Sequence, residues 1–321
     1  MISFAIRARR PFAGRWRAAA GLMLLVAFVG VRGGGAQAQQ NEMADVEVKA
    51  VPVQGQVHVL FGRGGNIGVF AGPEAVILID DQFAPLTPKI EAAVKTISDR
   101  PIRFVLNTHW HGDHTGGNEH FGKAGAVIVA QDNVYRRLST DQFMKAFDRH
   151  VPAAPRDALP LVTFNDEVAF HLNGEEVRAW HIPHAHTDGD VIVHFTKSDV
   201  LHMGDIMFNG FYPFIDLGSG GNLAGMIAGV EKALAIAGPK TRIIPGHGPL
   251  TDRKGLTAYR DMLVAARDRV RALIARGESR EEVIAARPMA DYDTTWGKRF
   301  IKPEQFLGFV YDSLKPAQGG N

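Results

Sequence analysis

Residues 109–114 read His-Trp-His-Gly-Asp-His and follow directly on the apolar segment 102–107. Four side chains able to bind a metal thus fall within six residues. In an extended backbone alternate residues point to the same side, so His109 and His111 can aim at one point. The Thr115-Gly116-Gly117 run that follows permits a sharp turn. The cluster stands just past a strand end, where open α/β sheets usually carry their sites. The chain has no cysteine. Any metal must therefore be held by nitrogen and oxygen, and thiolate zinc sites, iron–sulfur clusters and thiol nucleophiles are excluded.

The amino-terminal segment has a different character. Arg7, Arg9, Arg10, Arg15 and Arg17 precede the apolar run 18–31, and Ala36-Gln37-Ala38 closes it with an A-x-A pattern. This is the layout of a secretory signal peptide over residues 1–38. Arg9-Arg10-Pro11-Phe12 is similar to a twin-arginine export signal. The apolar run is shorter than the roughly 20 residues a membrane span needs. The expectation is a periplasmic or secreted protein with no stable span after cleavage. Loss of 1–38 removes six of the 36 basic residues and none of the 34 acidic ones, taking the net charge from +2 to −4. A mildly acidic mature chain offers no electrostatic footprint for nucleic acid, so a small-molecule substrate is expected.

Along the rest of the chain, 39–56 reads as a polar lead-in. Strands are expected at 57–61, 67–71, 75–80, 102–107 and 126–130, around a Gly64-Gly65-Asn66 turn and a helix at 85–97, with further helical stretches to about 149. A second cycle gives strands at 167–172, 176–182, 190–195, 199–204 and 242–245. Its helices are expected at 223–237, 255–277, 279–287 and 304–314, with a glycine-rich loop over 205–222. Strands followed by helix thus occur twice, at 57–149 and 163–252. No linker separates the halves, so residues 39–321 read as a single domain. Two sheets packed face to face with helices outside satisfy the pattern.

Further metal ligands should come from other strand ends. Three segments qualify, namely His186-Thr187-Asp188-Gly189-Asp190, Gly204-Asp205 and Gly246-His247-Gly248. His184 competes with His186, since residues two apart can face the same side. His58, His171, His194 and His202 lie in strands and read as packing or surface residues, and His120 and His150 as exposed. Trp110 reads equally as a shape-setting residue or a pocket wall. The aromatic run 207–214, MFNGFYPF, reads equally as a wall of a substrate pocket or as plain core packing, with 60–67 and 207–222 setting the pocket's specificity.

The ordered set of Asp80, the 109–114 block, His186, Asp205 and His247 resembles the metallo-β-lactamase superfamily over about residues 57–252. The resemblance implies a four-layer αββα sandwich of two mixed sheets with outer helices. It implies that His109, His111 and His186 hold one metal, that Asp113, His114 and His247 hold a second, and that Asp205 bridges both. His186, followed by Thr187, matches the family pattern better than His184. Asp80 would support the ligands from behind. The run Gly221-Asn222-Leu223 is similar to that of B1-type β-lactamases, which places Asn222 beside the substrate carbonyl. Those enzymes carry a cysteine and a lysine where this chain has Asp205 and no evident carboxylate clamp; an aspartate there is similar to glyoxalase II.

Three imidazoles with an open fourth position describe a catalytic zinc, and two zinc ions per chain are expected, with iron or manganese also suited to a carboxylate-bridged site. Such a pair deprotonates water near neutral pH, and Asp113 can hold the proton. The expected activity is an exported zinc-dependent hydrolase of an ester, thioester or cyclic amide, with β-lactamase-like activity in its range. The alternative on the same fold is an iron-dependent oxidoreductase such as a sulfur dioxygenase, with a mononuclear site.

Overall fold

A computed structural model describes residues 43–315; the expected signal segment lies outside them. The first half of the chain lays down β1 (Lys49–Gln54), β2 (Val57–Phe61), β3 (Ile67–Ala71), β4 (Val76–Ile79), helix α1 (Thr87–Lys95), β5 (Ile102–Leu106), the short helices α2 (Gly112–Thr115) and α3 (Asn118–Lys123), β6 (Val127–Gln131), α4 (Asp132–Leu138), β7 (Gln142–Met144), β8 (Arg149–Val151) and β9 (Val162–Phe164). The second half adds β10 (Glu167–Leu172), β11 (Glu175–Ile182), β12 (Asp190–Phe195), β13 (Val200–His202), α5 (Leu223–Ile236), β14 (Arg242–Ile244), β15 (Thr251–Asp252), α6 (Arg253–Ala275), α7 (Arg280–Ala286), α8 (Ala290–Trp296) and α9 (Pro303–Leu314). One sheet runs β1-β2-β3-β4-β5-β6-β9 and the other β10-β11-β12-β13-β14-β15. Both are mixed: β1 to β4 are antiparallel and β4 to β9 pair in parallel, while β13 pairs in parallel with β14 inside an otherwise antiparallel sheet.

Side-chain alternation explains the layering. On β2, Val57 and Val59 face the second sheet while Leu60 faces the helices; on β4, Ile77 and Ile79 face in while Val76 and Leu78 face out. The second sheet answers with Val191, Val193 and Phe195 of β12 facing in and Ile192 facing out. The inward sets form a core between the sheets, each such side chain stabilising the fold by about 1.5–3 kcal/mol. Outside the first sheet, Ile90 and Val94 of α1 cover Leu78 and Val105. Outside the second, α5, α6 and α9 bury a larger cluster. In α6 the buried positions Leu256, Tyr259, Met262, Leu263, Ala266, Val270 and Leu273 recur at helical spacing. The molecule is a four-layer αββα sandwich.

Three expectations are corrected. The lead-in contains β1, where Val51 and Val53 pack against the inter-sheet core. Its Pro52 falls at a register irregularity of this edge strand, where a missing donor is tolerated. The stretch after α4 is a hairpin, β7–β8, with Asp148 left-handed at its turn (φ 47°). Strand β9 joins the first sheet although it stands near the start of the second repeat, because it pairs in parallel with β6.

The strand ends set up the site. His109 follows β5, His186 lies between β11 and β12, Asp205 follows β13 and His247 follows β14. The turn at Asn66 ties this edge together, its Nδ2 donating to the carbonyls of Pro245 (2.9 Å) and Gly248 (2.8 Å). The buried His202 adds a second tie, with Nε2 donating to the Asn66 carbonyl (3.0 Å) and Nδ1 accepting from the Gly204 amide (3.2 Å).

Candidate metal centre

The structure brings His109, His111, His186 and Asp205 into one group and Asp113, His114 and His247 into a second, with one ligand atom from each within 4.8 Å of the others in its group. His111 Nδ1 lies 3.1 Å from His109 Nε2 and 2.9 Å from His186 Nε2. His114 Nε2 and His247 Nε2 are 3.3 Å apart, and Asp113 Oδ2 is 3.3 Å from His247 Nε2. Asp205 stands between the groups. Its Oδ1 is 3.1 Å from His114 Nε2; its Oδ2 is 3.3 Å from His247 Nε2 and 3.5 Å from His186 Nε2.

The far side of each ring fixes which nitrogen faces inward. His186 Nδ1 donates to the Phe214 carbonyl (2.8 Å), and His111 Nε2 donates to Asp216 Oδ2 (3.0 Å). His114 Nδ1 donates to Asp80 Oδ2 (2.7 Å). Thr108 Oγ1 donates to the same carboxylate oxygen (2.7 Å) and accepts from His109 Nδ1 (3.1 Å). Outer partners of this kind orient metal-binding histidines. The rings therefore present lone pairs to one another at about 3 Å, and acceptors so placed repel unless a cation or proton lies between them. Asp205 Oδ1 is buried and outside hydrogen-bonding geometry with its neighbours, an orphaned oxygen that needs a partner. The backbone also leaves room: a Cβ on Gly65 would stand 2.1 Å from His114 Cε1, and one on Gly246 2.1 Å from Asp205 Oδ1. The donor set fits metal binding.

The electrostatics agree. Burial, aided by the nearby His114, pushes the His109 pKa well below its ordinary value. Burial also pushes His186 down, to about 4, against the pull of Asp205. Neutral rings are what a metal requires. In the second group burial opposes the charged form, yet the carboxylates of Asp205 and Asp113 raise His247 to about 9. The imidazoles of His247, His114 and His109 hold Asp205 well below the carboxylate range despite its burial. Without a cation, protons on His114 and His247 would balance Asp113 and Asp205; a divalent ion supplies the same compensation.

The cluster forms the floor of a cavity of about 1010 Å³. Gly62, Arg63 and Gly64 line one side, and Phe208, Phe211 and Phe214 another. Phe208 stacks on His247 with ring centroids 5.2 Å apart. The aromatic run 207–214 thus supplies a wall, but Met207 and Tyr212 turn into the core, where Tyr212 stacks on Phe306 at 4.3 Å.

Other expected residues fall elsewhere. Asn222 does not line the cavity: its Oδ1 accepts from the Ala224 amide (2.8 Å) as the amino-terminal cap of α5, and its Nδ2 donates to the Ser313 carbonyl (3.3 Å). With both ends of the amide engaged, the expected role beside a substrate carbonyl is withdrawn. His184 is exposed, and its Nδ1 donates to the Gly220 carbonyl (3.0 Å). Trp110 is buried against Ala130 and Val134 and donates to Ser219 Oγ (3.2 Å), so it sets shape rather than walling the pocket. Asp188 pairs with Arg137 at 2.7 Å. His120 and His150 are exposed beside Glu91 and Asp141. The sequence reading missed Asp216, which orients His111 and accepts from Ser219 Oγ (2.6 Å). An acid inside the apolar run 214–217 is the signal that marked it, since a buried carboxylate needs partners.

Fold and site define a class, that of αββα proteins whose histidines and aspartates gather at strand ends beneath an open cavity. A model of the metallo-beta-lactamase superfamily matches residues 60–247, more than half of the chain, and the chain belongs to that superfamily. It is 26% identical over 163 residues to a hydroxyacylglutathione hydrolase of Pelagibacter ubique, covering 48% of this chain and 56% of the relative. It is 22% identical over 161 residues to an acyl-coenzyme A thioesterase of Gallus gallus, covering 46% and 57%. The chain spans little more than half the length of these relatives. Among solved structures, a metallo-beta-lactamase from Pontibacter korlensis superposes with a TM-score of 0.55 and 18% identity, over 68% of this chain and 99% of that one, which speaks to the fold alone.

Proposed function

We propose that this protein is an exported, zinc-dependent hydrolase that cleaves an acyl bond, a thioester first among the candidates. The observation that carries the reading is the pair of donor groups sharing Asp205 at the floor of the open cavity. His109, His111 and His186 would hold one ion, Asp113, His114 and His247 a second, with Asp205 between. Bound there, divalent cations lower the pKa of water and stabilise negative charge developing on an acyl oxygen. Two relatives named as a hydroxyacylglutathione hydrolase and an acyl-coenzyme A thioesterase support acyl transfer to water.

The chain's own groups supply the remainder. Water adds across the C–S bond: its oxygen joins the acyl carbon, one proton goes to the departing sulfur, and the other is lost as the acid ionises. Asp113 is held as a carboxylate by His114 and His247 and lines the cavity floor, where it would accept a hydrogen bond from the attacking water and orient it. Asp80, Asp216 and the Phe214 carbonyl keep the imidazoles aimed, so geometry is not rebuilt at each turnover. The basic start, the apolar run 18–31 and the Ala36-Gln37-Ala38 pattern support export to the periplasm, and residues 39–321 are proposed to act as one domain.

The test is to assay the purified protein, with its metals counted, against an acyl thioester, a chromogenic lactam and a phosphodiester. Thioester hydrolysis lost on chelation and restored by zinc is the expected result. One iron per chain with no hydrolysis of any of the three would replace this reading with the oxidoreductase.

A further inference from the structure

The cavity over the metal centre has a two-part character. Its walls are aromatic: Phe208, Phe211 and Phe214 rise from the floor, and Phe147 and Phe300 meet above them. The Phe147 ring lies 4.9 Å from that of Phe214 and 5.7 Å from that of Phe300. Phe147 and Phe300 are 37% and 64% exposed, large apolar groups left at a mouth rather than in a core. Beside each stands an arginine that also lines the cavity: Arg149 opens β8 two residues after Phe147, and Arg299 directly precedes Phe300. Among the described residues neither guanidinium has a carboxylate partner, and the acids that line the cavity are Asp113 and Asp205 at its floor. At about 1010 Å³ the space lies at the upper end of small-molecule sites. A small neutral ester would leave most of the apolar wall wet and both arginines unused.

We propose that the substrate is an anionic amphiphile: an acyl compound whose apolar chain lies along the phenylalanine wall and whose anionic group, phosphate or carboxylate, is held at the mouth by Arg149 and Arg299. This rests on the hydrolase reading, since it places the acyl carbon over the metal centre. The mouth residues come from two separate elements, the β7–β8 hairpin and the segment before α9, so both must stay in place for the full site to exist.

Binding of non-hydrolysable thioethers to the zinc-loaded full chain, followed by calorimetry, tests this apart from turnover. The probes are S-ethyl- and S-decyl-coenzyme A, S-decylglutathione and the uncharged S-decylpantetheine. Affinity should rise by about fourfold per methylene until the wall is covered, and Phe147→Ala and Phe300→Ala should flatten that rise. Arg149→Ala and Arg299→Ala should each weaken the anionic decyl probes by about twofold to fivefold at low salt and leave the neutral one unchanged. All four side chains are partly or largely exposed, so the variants should keep the parent's thermal midpoint. Tighter binding of the coenzyme A probe marks a phosphate as the anion, and of the glutathione probe a carboxylate. Equal affinity for ethyl and decyl chains, or for charged and neutral probes, would overturn the proposal. If decyl anions bind but no thioester is cleaved, the hydrolase reading falls; if short neutral thioesters are cleaved without chain or charge preference, this inference falls and the hydrolase stands.

Discussion

At the scale of single residues, the site is held by the partners behind the rings as much as by the rings themselves. Asp80 accepts from His114 Nδ1, Thr108 Oγ1 and the Thr108 amide. In Asp80→Asn the new amide donor must face one of those donors, so His114 should lose its aim. Metal affinity of the second group should fall by about 10–100-fold, read as metal retained per chain after dialysis. His186→Ala should empty the first group, while His184→Ala should retain the parent's metal, because that ring is tied to Gly220 at the surface. Asn222→Ala should leave turnover unchanged and cost about 1 kcal/mol in urea unfolding, the loss of a helix cap. The candidate ligands were legible because histidines and aspartates beside glycines at strand ends have few other uses. The contacts of Asp216 with His111 and of His202 with Asn66 were not, because the partners lie 105 and 136 residues away; the acid within the apolar run 214–217 marks Asp216 as needing partners but does not say which. Asn222 misled for the opposite reason: the same residue type serves a cap and a carbonyl contact equally well.

At the scale of elements, the alternation of apolar and flanking residues carried most of the sandwich. Ile77 on β4 lies in the core between the sheets, so Ile77→Ala should cost about 2–5 kcal/mol. Val162 on β9 is 44% exposed, and Val162→Ala should stay within about 0.5 kcal/mol. Urea unfolding at fixed zinc concentration compares the two. What escaped the sequence were the short elements. Strands β7, β8 and β9 have three residues each, too few for a period to be read, and they exist because of what they pair with. Strand β1 was hidden by Pro52, a residue that argues against a central strand and is harmless at an edge. The two short elements of the hairpin matter beyond their size, since they carry Phe147 and Arg149 to the cavity mouth.

At the scale of the whole molecule, the two halves of the chain each contribute ligands to both donor groups. His186 and Asp205 meet His109 and His111 from the opposite sheet, and His247 meets Asp113 and His114. A cation bound there links the sheets as well as the side chains. Metal that binds only the folded state stabilises it by about 2.7 kcal/mol at a free concentration 100 times its Kd. The thermal midpoint should therefore fall on chelation and climb again as zinc is titrated back. The measurement that bears most directly on the account is the number of metal ions per chain, taken by elemental analysis alongside thioester hydrolysis in the same samples. Two zinc ions in the parent, one in His247→Ala, and hydrolysis that tracks full occupancy are the expected results. A single ion in the parent, unchanged by His247→Ala and accompanied by no hydrolysis, would contradict it.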